Sequence, residues 1–159
     1  GAHFNPAVSF GFALTRHFPW PRVGAYWAAQ LAGALAAALL LRASLGDIAD
    51  VGATFPSGSD RQSFLWEVVL TFFLMFVILS VATDTRAVGE AAAIAVGGTV
   101  GLDAMFGGPI SGASMNPARS LGPAIAVPTR RRGYTSTSNE KPGGSDEARD
   151  AWRRRRSDV

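Results

Sequence analysis

GAHFNPAVSFGFAL, residues 1–14, returns further along the chain as GASMNPARSLGPAI, residues 112–125, at a fixed offset of 111. Eight of the fourteen positions are identical: the opening Gly-Ala, the Asn-Pro-Ala triplet, and the later Ser, Gly and Ala. A unit used twice in this way is a structural repeat, and it organises what lies between the copies. Each copy reads as a helix start. Asn is a favoured N-cap, and Pro at the first helical position supplies a preset φ where its missing N–H takes nothing from the helix. The apolar run after each cap is about ten residues, too short to cross a bilayer and suited to a segment that enters a membrane and turns back. The pattern predicts half-helices over 5–14 and 116–125.

Three apolar stretches separate the copies, at 23–41, 64–83 and about 88–106. The first holds 19 uncharged residues between Arg22 and Arg42. At about 1.5 Å per residue it approaches the roughly 30 Å thickness of a bilayer core. The second carries Glu67 near its start, and the third carries Asp103 near its end. An odd number of crossings places the two copies on opposite sides of the membrane, so they enter from opposite faces in inverted orientation, with their N-terminal ends meeting near the midplane. Arg16, Arg22 and Arg86 flank one side of these spans, whereas the loop from Ala43 to Asp60 carries Asp47, Asp50 and Asp60. That bias predicts a cytoplasmic first copy.

A length of 159 residues with 48% hydrophobic side chains suits one domain, placed at 1–127. The absence of cysteine excludes a disulfide framework, a cysteine-ligated zinc site and a thiol nucleophile. The net charge of +3 arises from Arg130–Arg132 and Arg153–Arg156, so the body is nearly neutral and no nucleic-acid partner is expected. Residues 128–159 are rich in Pro, Gly, Ser, Thr and charge without apolar periodicity, which reads as a polar, disordered tail. Gly1 stands where an initiator Met would, which predicts further chain upstream. Seven clustered arginines after the second copy belong on the cytoplasmic side, which predicts a missing crossing.

The paired Asn5-Pro6-Ala7 and Asn116-Pro117-Ala118 have the chemistry of a solute site. Two facing helix N-termini present positive dipole ends, and the Asn5 and Asn116 amides can donate hydrogen bonds to one passing oxygen. A water held by its oxygen cannot relay a proton, and the positive ends disfavour cations. A single Asn-Pro-Ala is usually an ordinary helix cap; two copies argue otherwise. Arg119 follows the second triplet inside an apolar segment, where a charge marks function by default and otherwise snorkels to the interface. Glu67 and Gln30 are expected to satisfy backbone groups that broken helices leave free, a supporting role shared with Pro6 and Pro117. Gly33, Gly97, Gly98 and Gly101 suit close helix packing. His3 and His17 stand apart from any metal-like or nucleophilic partner, so no catalytic residue, metal or cofactor is expected. For Asp103 three readings stay open: facing the outer vestibule, pairing with an arginine, or reaching water.

With the repeat, the spans and Arg119 in place, the chain resembles the major intrinsic protein family of aquaporins and glycerol facilitators, in its nodulin-like or bacterial branch. The resemblance covers about residues 1–127 and rests on Gly1 to Ser9, Tyr26 to Gly33 with Gln30, Glu67 followed by Thr71-Phe72, Thr83-Asp84, and Ser111 to Ala124. It implies an all-α membrane protein, an inverted-repeat helical bundle with two re-entrant half-helices, of which three of six spans are present. It also implies passive transport of water or small neutral solutes without protons or ions. Matched by spacing to the family's motif, Arg119, Ala113 and Ala104 fall in its selectivity filter, with the fourth position in an absent span. Two alanines there imply a wide opening, as in nodulin-like members that pass glycerol, urea or neutral metalloid acids. Ser120 and Ala124 instead match the water-channel type. Membership further implies a multi-pass protein of the bacterial or other plasma membrane, in contact with lipid and assembled as a homotetramer. The competing expectation is a truncated remnant that conducts nothing.

Overall fold

The computed structural model describes residues 1–46, 48–83 and 89–127. These fall in one unit, Gly1–Pro128, and the second unit, Thr129–Val159, is outside them. Asp47, Asp84, Arg86, Val88 and the tail of 128–159 with its arginine clusters therefore lie outside the described residues.

Five α-helices make up the described chain: α1 Pro6–Leu14, α2 Trp20–Leu45, α3 Asp60–Thr83, α4 Glu90–Ser111 and α5 Pro117–Ala126. No strand occurs among the described residues. The two short helices start as the repeat dictates. Asn5 accepts from the Ala7 N–H at 2.9 Å, and Asn116 accepts from the N–H groups of Ala118 at 3.0 Å and Arg119 at 3.2 Å. These bonds satisfy donors that a helix start otherwise leaves bare.

Three helices, α2, α3 and α4, are long and apolar enough to cross a membrane. Each extends past its apolar stretch because local capping, and not apolarity, sets the ends. α2 begins at Trp20 with proline in its first turn and stops at Gly46, whose N–H bonds the Arg42 carbonyl and whose φ of 75° turns the chain out of the helix. α3 starts four residues before its apolar stretch, where the Ser59 hydroxyl accepts from the Gln62 N–H at 3.2 Å. α4 runs beyond Phe106, through Pro109, and ends at Gly112 with a left-handed φ of 84°. The long helices leave large apolar side chains outside, among them Phe72, Phe76, Ile94 and Met105. In water such faces would be a liability; in lipid they are the wetted surface.

α2 packs mainly on α5, and α3 on α4. One buried cluster joins Leu70 and Leu74 of α3 to Ala113 and Met115, which precede α5. A second joins Ala38 of α2, Ala126 of α5 and Val51. Between α2 and α3, Ala49, Asp50 and Val51 all adopt left-handed φ, near 46–49°. The glycine shared by the two copies meets a neighbour in each. A Cβ on Gly11 would strike the Met75 side chain, and one on Gly122 would lie 2.7 Å from the backbone of Ala34. A methionine tip can swing aside, but helix backbone cannot. Gly122→Ala should therefore lower the stability of the detergent-solubilised protein by more than 1 kcal/mol, and Gly11→Ala by clearly less, read by thermal unfolding. Equal losses would contradict this packing.

Candidate functional site

The two half-helices meet cap to cap. The Asn5 amide nitrogen donates to the Met115 carbonyl at 2.7 Å, and the Asn116 amide nitrogen donates to the Phe4 carbonyl at 2.9 Å. Each asparagine thus caps its own helix with its oxygen and bridges to the opposite copy with its nitrogen. A carboxamide has two N–H groups, so one on each residue is left over. The carbonyls reach across because Phe4 and Met115, equivalent residues of the repeat, take φ of 52° and 50°. Left-handed φ costs about 1–2 kcal/mol per non-glycine residue. Neither Phe nor Met signals that conformation, so the sequence carries no hint of it.

A groove of about 750 Å3 runs along α2 from Tyr26 to Leu41 and is walled on its other sides by Gly1 to Phe4, Val51, Gly52, Asn116, Ala118, Arg119 and Pro123. A second groove, about 530 Å3, lies between α1 and α3 and takes in Ala7, Glu67, Thr71, Asn116, Pro117 and Ser120. Asn116 opens to both grooves. Asn5 lines neither and is only 6% exposed. Arg119 is exposed, and among the described residues its guanidinium has no hydrogen-bond or ion-pair partner, so it can offer its donors to a solute. Ala113 and Ala104 do not join it in the groove. Ala113 is buried against Leu70, Leu74 and Met115, and Ala104 is exposed on α4.

Glu67 is the anchor of the second copy. One carboxylate oxygen accepts from the Ser114 N–H at 2.8 Å and the Ser111 hydroxyl at 2.7 Å; the other accepts from the Met115 N–H at 2.7 Å. These are charge-assisted bonds to an irregular segment whose backbone has no helical partners. Gln30 serves the first copy: it donates to the Ser9 hydroxyl at 3.0 Å, and Ser9 in turn donates to the Asn5 carbonyl at 3.2 Å. Pro6 contributes its carbonyl, which accepts from the Trp27 indole at 3.0 Å.

His3 is not the isolated side chain that the sequence suggests. Its ring lies 5.0 Å from Phe12, 4.8 Å from Phe18 and 5.1 Å from Tyr26, and Nδ1 is 3.0 Å from Ser9 Oγ. Only the fold gathers these four rings; nothing in their spacing does. His17 has one side-chain bond, to Thr15, at 3.1 Å. Asp103 is 7% exposed on the α4 stripe shared with Gly107 and Ser111, and among the described residues its Oδ2 has no partner and it pairs with no arginine. No cluster of metal-ligating side chains is present among the described residues.

Half-helices joined cap to cap, beside three helices of membrane-spanning length, define an integral membrane protein of the paired re-entrant type. The profile of the Major intrinsic protein (MIP) family matches residues 1–136, and the chain belongs to that family. Over 126 residues it is 56% identical to Aquaporin NIP2-2 of Zea mays, covering 79% of this chain and 43% of that protein. Over the same length it is 55% identical to Nodulin-26 of Glycine max, covering 79% and 46%. The solved aquaglyceroporin of Plasmodium falciparum superimposes with a TM-score of 0.65 at 28% identity, over 79% of this chain and 57% of that one. The chain thus spans less than half the length of these plant relatives. They support the nodulin-like side of the resemblance, and give a bacterial membrane no support.

Replacing Glu67 with Gln leaves one acceptor oxygen where two served three donors. The buried N–H it strands should cost about 2 kcal/mol of stability, read as earlier unfolding in a detergent melt. An unaltered melt would contradict the anchor.

Proposed function

We propose that the whole protein is a passive channel for water and small neutral solutes, closed to protons and ions, and not an enzyme. The observation that carries this reading is the reciprocal pair of bonds from Asn5 to Met115 and from Asn116 to Phe4. It brings two positive helix ends to one place and leaves an amide N–H of Asn116, which opens to both grooves, for a passing oxygen. A solute oxygen that accepts there, and again from the exposed guanidinium of Arg119, is held as a neutral acceptor. A cation meets the same positive groups as a barrier. Nothing reacts, so the driving force is the concentration gradient.

In this reading Asn116, open to both grooves, is the central donor, Asn5 caps the opposite half-helix beside it, Ala7 and Ala118 flank them, and Arg119 supplies the filter charge. The groove beside Arg119, about 750 Å3, has room for a solute larger than water. The names of the relatives agree with that breadth: two are aquaporins or a nodulin, and the structural neighbour is an aquaglyceroporin. Glycerol, urea and neutral metalloid acids are the solutes to test beside water. A plasma-membrane location and a homotetramer with one path per subunit complete the proposal, by analogy with the family.

Stopped-flow light scattering of proteoliposomes holding the full-length protein tests it with water and glycerol gradients. Arg119→Leu should lower the flux of both about tenfold, the consequence of losing a charged hydrogen-bond donor. Unaltered flux would remove Arg119 from the filter, and a wild-type protein no faster than empty vesicles would sink the channel reading.

A further inference from the structure

Arg42, in the last turn of α2, donates from Nη1 to the Ala126 carbonyl at 2.7 Å, at the C-terminal end of α5. The last four carbonyls of any helix lack intrahelical donors, and that end carries the negative pole of the dipole. A guanidinium answers both needs at once. Ala126 itself is 5% exposed, packed with Ala38 and with Val51, while Leu35 and Val127 lie against the same cluster. Val51 reaches that place only through the left-handed run of Ala49, Asp50 and Val51, which is intrinsically unfavourable for non-glycine residues. Strain of this kind persists where the surrounding structure overrides it, and here it puts an apolar side chain beside the Arg42 contact.

We infer that Arg42 is a positioning residue for the solute site: by holding the far end of the second half-helix it sets where Asn116 and Arg119 stand. The inference rests on the channel reading and adds a part to it. Its mechanical basis is a lever. α5 is a ten-residue rod, about 15 Å long, and it lies so close to α2 at Gly122 that a Cβ there would come within 2.7 Å of the Ala34 backbone. Arg119 lies three residues to one side of that contact, and Ala126 lies four residues to the other. Movement at Ala126 is therefore passed across the contact to Arg119. The first half-helix is finished differently. α1 has no basic residue in its last turn, and the Thr15 hydroxyl donates to the Gly11 carbonyl at 2.9 Å. Among the described residues, only the half-helix that bears Arg119 has its C-terminal end held by a charge from another helix.

The test uses the full-length protein in proteoliposomes, as wild type, Arg42→Gln and Arg42→Lys, with two readouts. One is the glycerol-to-water permeability ratio, which does not depend on how much protein inserts. The other is amide hydrogen exchange of residues 118–127 against residues 7–14. Arg42→Gln is expected to change the ratio about fivefold, the scale of losing one hydrogen bond. It should also speed exchange in α5 while leaving α1 unaltered, and Arg42→Lys should restore both. Exchange in α5 that does not respond to Arg42→Gln overturns the inference, and so does faster exchange with an unaltered ratio. If the wild type conducts nothing, the channel reading fails on its own account, and the exchange of α5 still decides whether Arg42 holds that helix.

Discussion

Two hydrogen bonds, from Asn5 to the Met115 carbonyl and from Asn116 to the Phe4 carbonyl, carry the constraint on which the rest depends. Each half-helix ends in an apolar setting with its N–H groups pointing at the other. Left to themselves, two such ends repel and their donors go unsatisfied. The asparagines resolve both problems because one carboxamide can cap with its oxygen and bridge with its nitrogen. Serine, threonine and aspartate also cap helices, but lack the N–H that crosses to the opposite copy. Proline at the next position completes the arrangement by starting each helix without a wasted donor. The left-handed Phe4 and Met115 are what this geometry demands of the residue before the cap.

The long helices serve that junction as posts. α2 holds both copies at once: Trp27 and Gln30 fasten the first, and Ala34, Ala38 and Arg42 receive the second. α3 supplies Glu67, which gathers the loop leading into the second copy, together with the apolar pair Leu70 and Leu74 against Ala113 and Met115. In a low-dielectric setting these polar contacts hold because they are saturated, since a half-bonded carboxylate there would be more costly than none. Asp103 and the Gln30 oxygen are the exceptions among the described residues, each leaving a buried acceptor unfilled.

Membership of the major intrinsic proteins sets these contacts in a wider frame. The match to Aquaporin NIP2-2 covers 79% of this chain but 43% of that relative. What the described residues contribute is the junction itself with its supports. The outward apolar side chains of α3 and α4 agree with a place in lipid, where they meet acyl chains or further helices without the penalty that water would impose.

The sequence by itself determined the elements and their kind. The offset repeat, the Asn-Pro starts, the short apolar runs and the three uncharged stretches identify two half-helices and three long ones, because capping chemistry and bilayer thickness act through a few neighbouring residues. It also singled out Glu67 as a backbone partner, since polar groups in apolar spans need something to bond, whereas Gln30 bonds the Ser9 hydroxyl instead. The tertiary structure alone decided which groups meet. That Asn5 finds the carbonyl of Met115, that His3 sits among Phe12, Phe18 and Tyr26, and that Arg42 closes the end of α5 each depend on residues that sequence separation does not relate. So does the separation of Arg119, open to the groove, from a buried Ala113 and an outward Ala104. Hydrogen bonds form over about 3 Å, and only packed helices bring residues 5 and 115 within that distance.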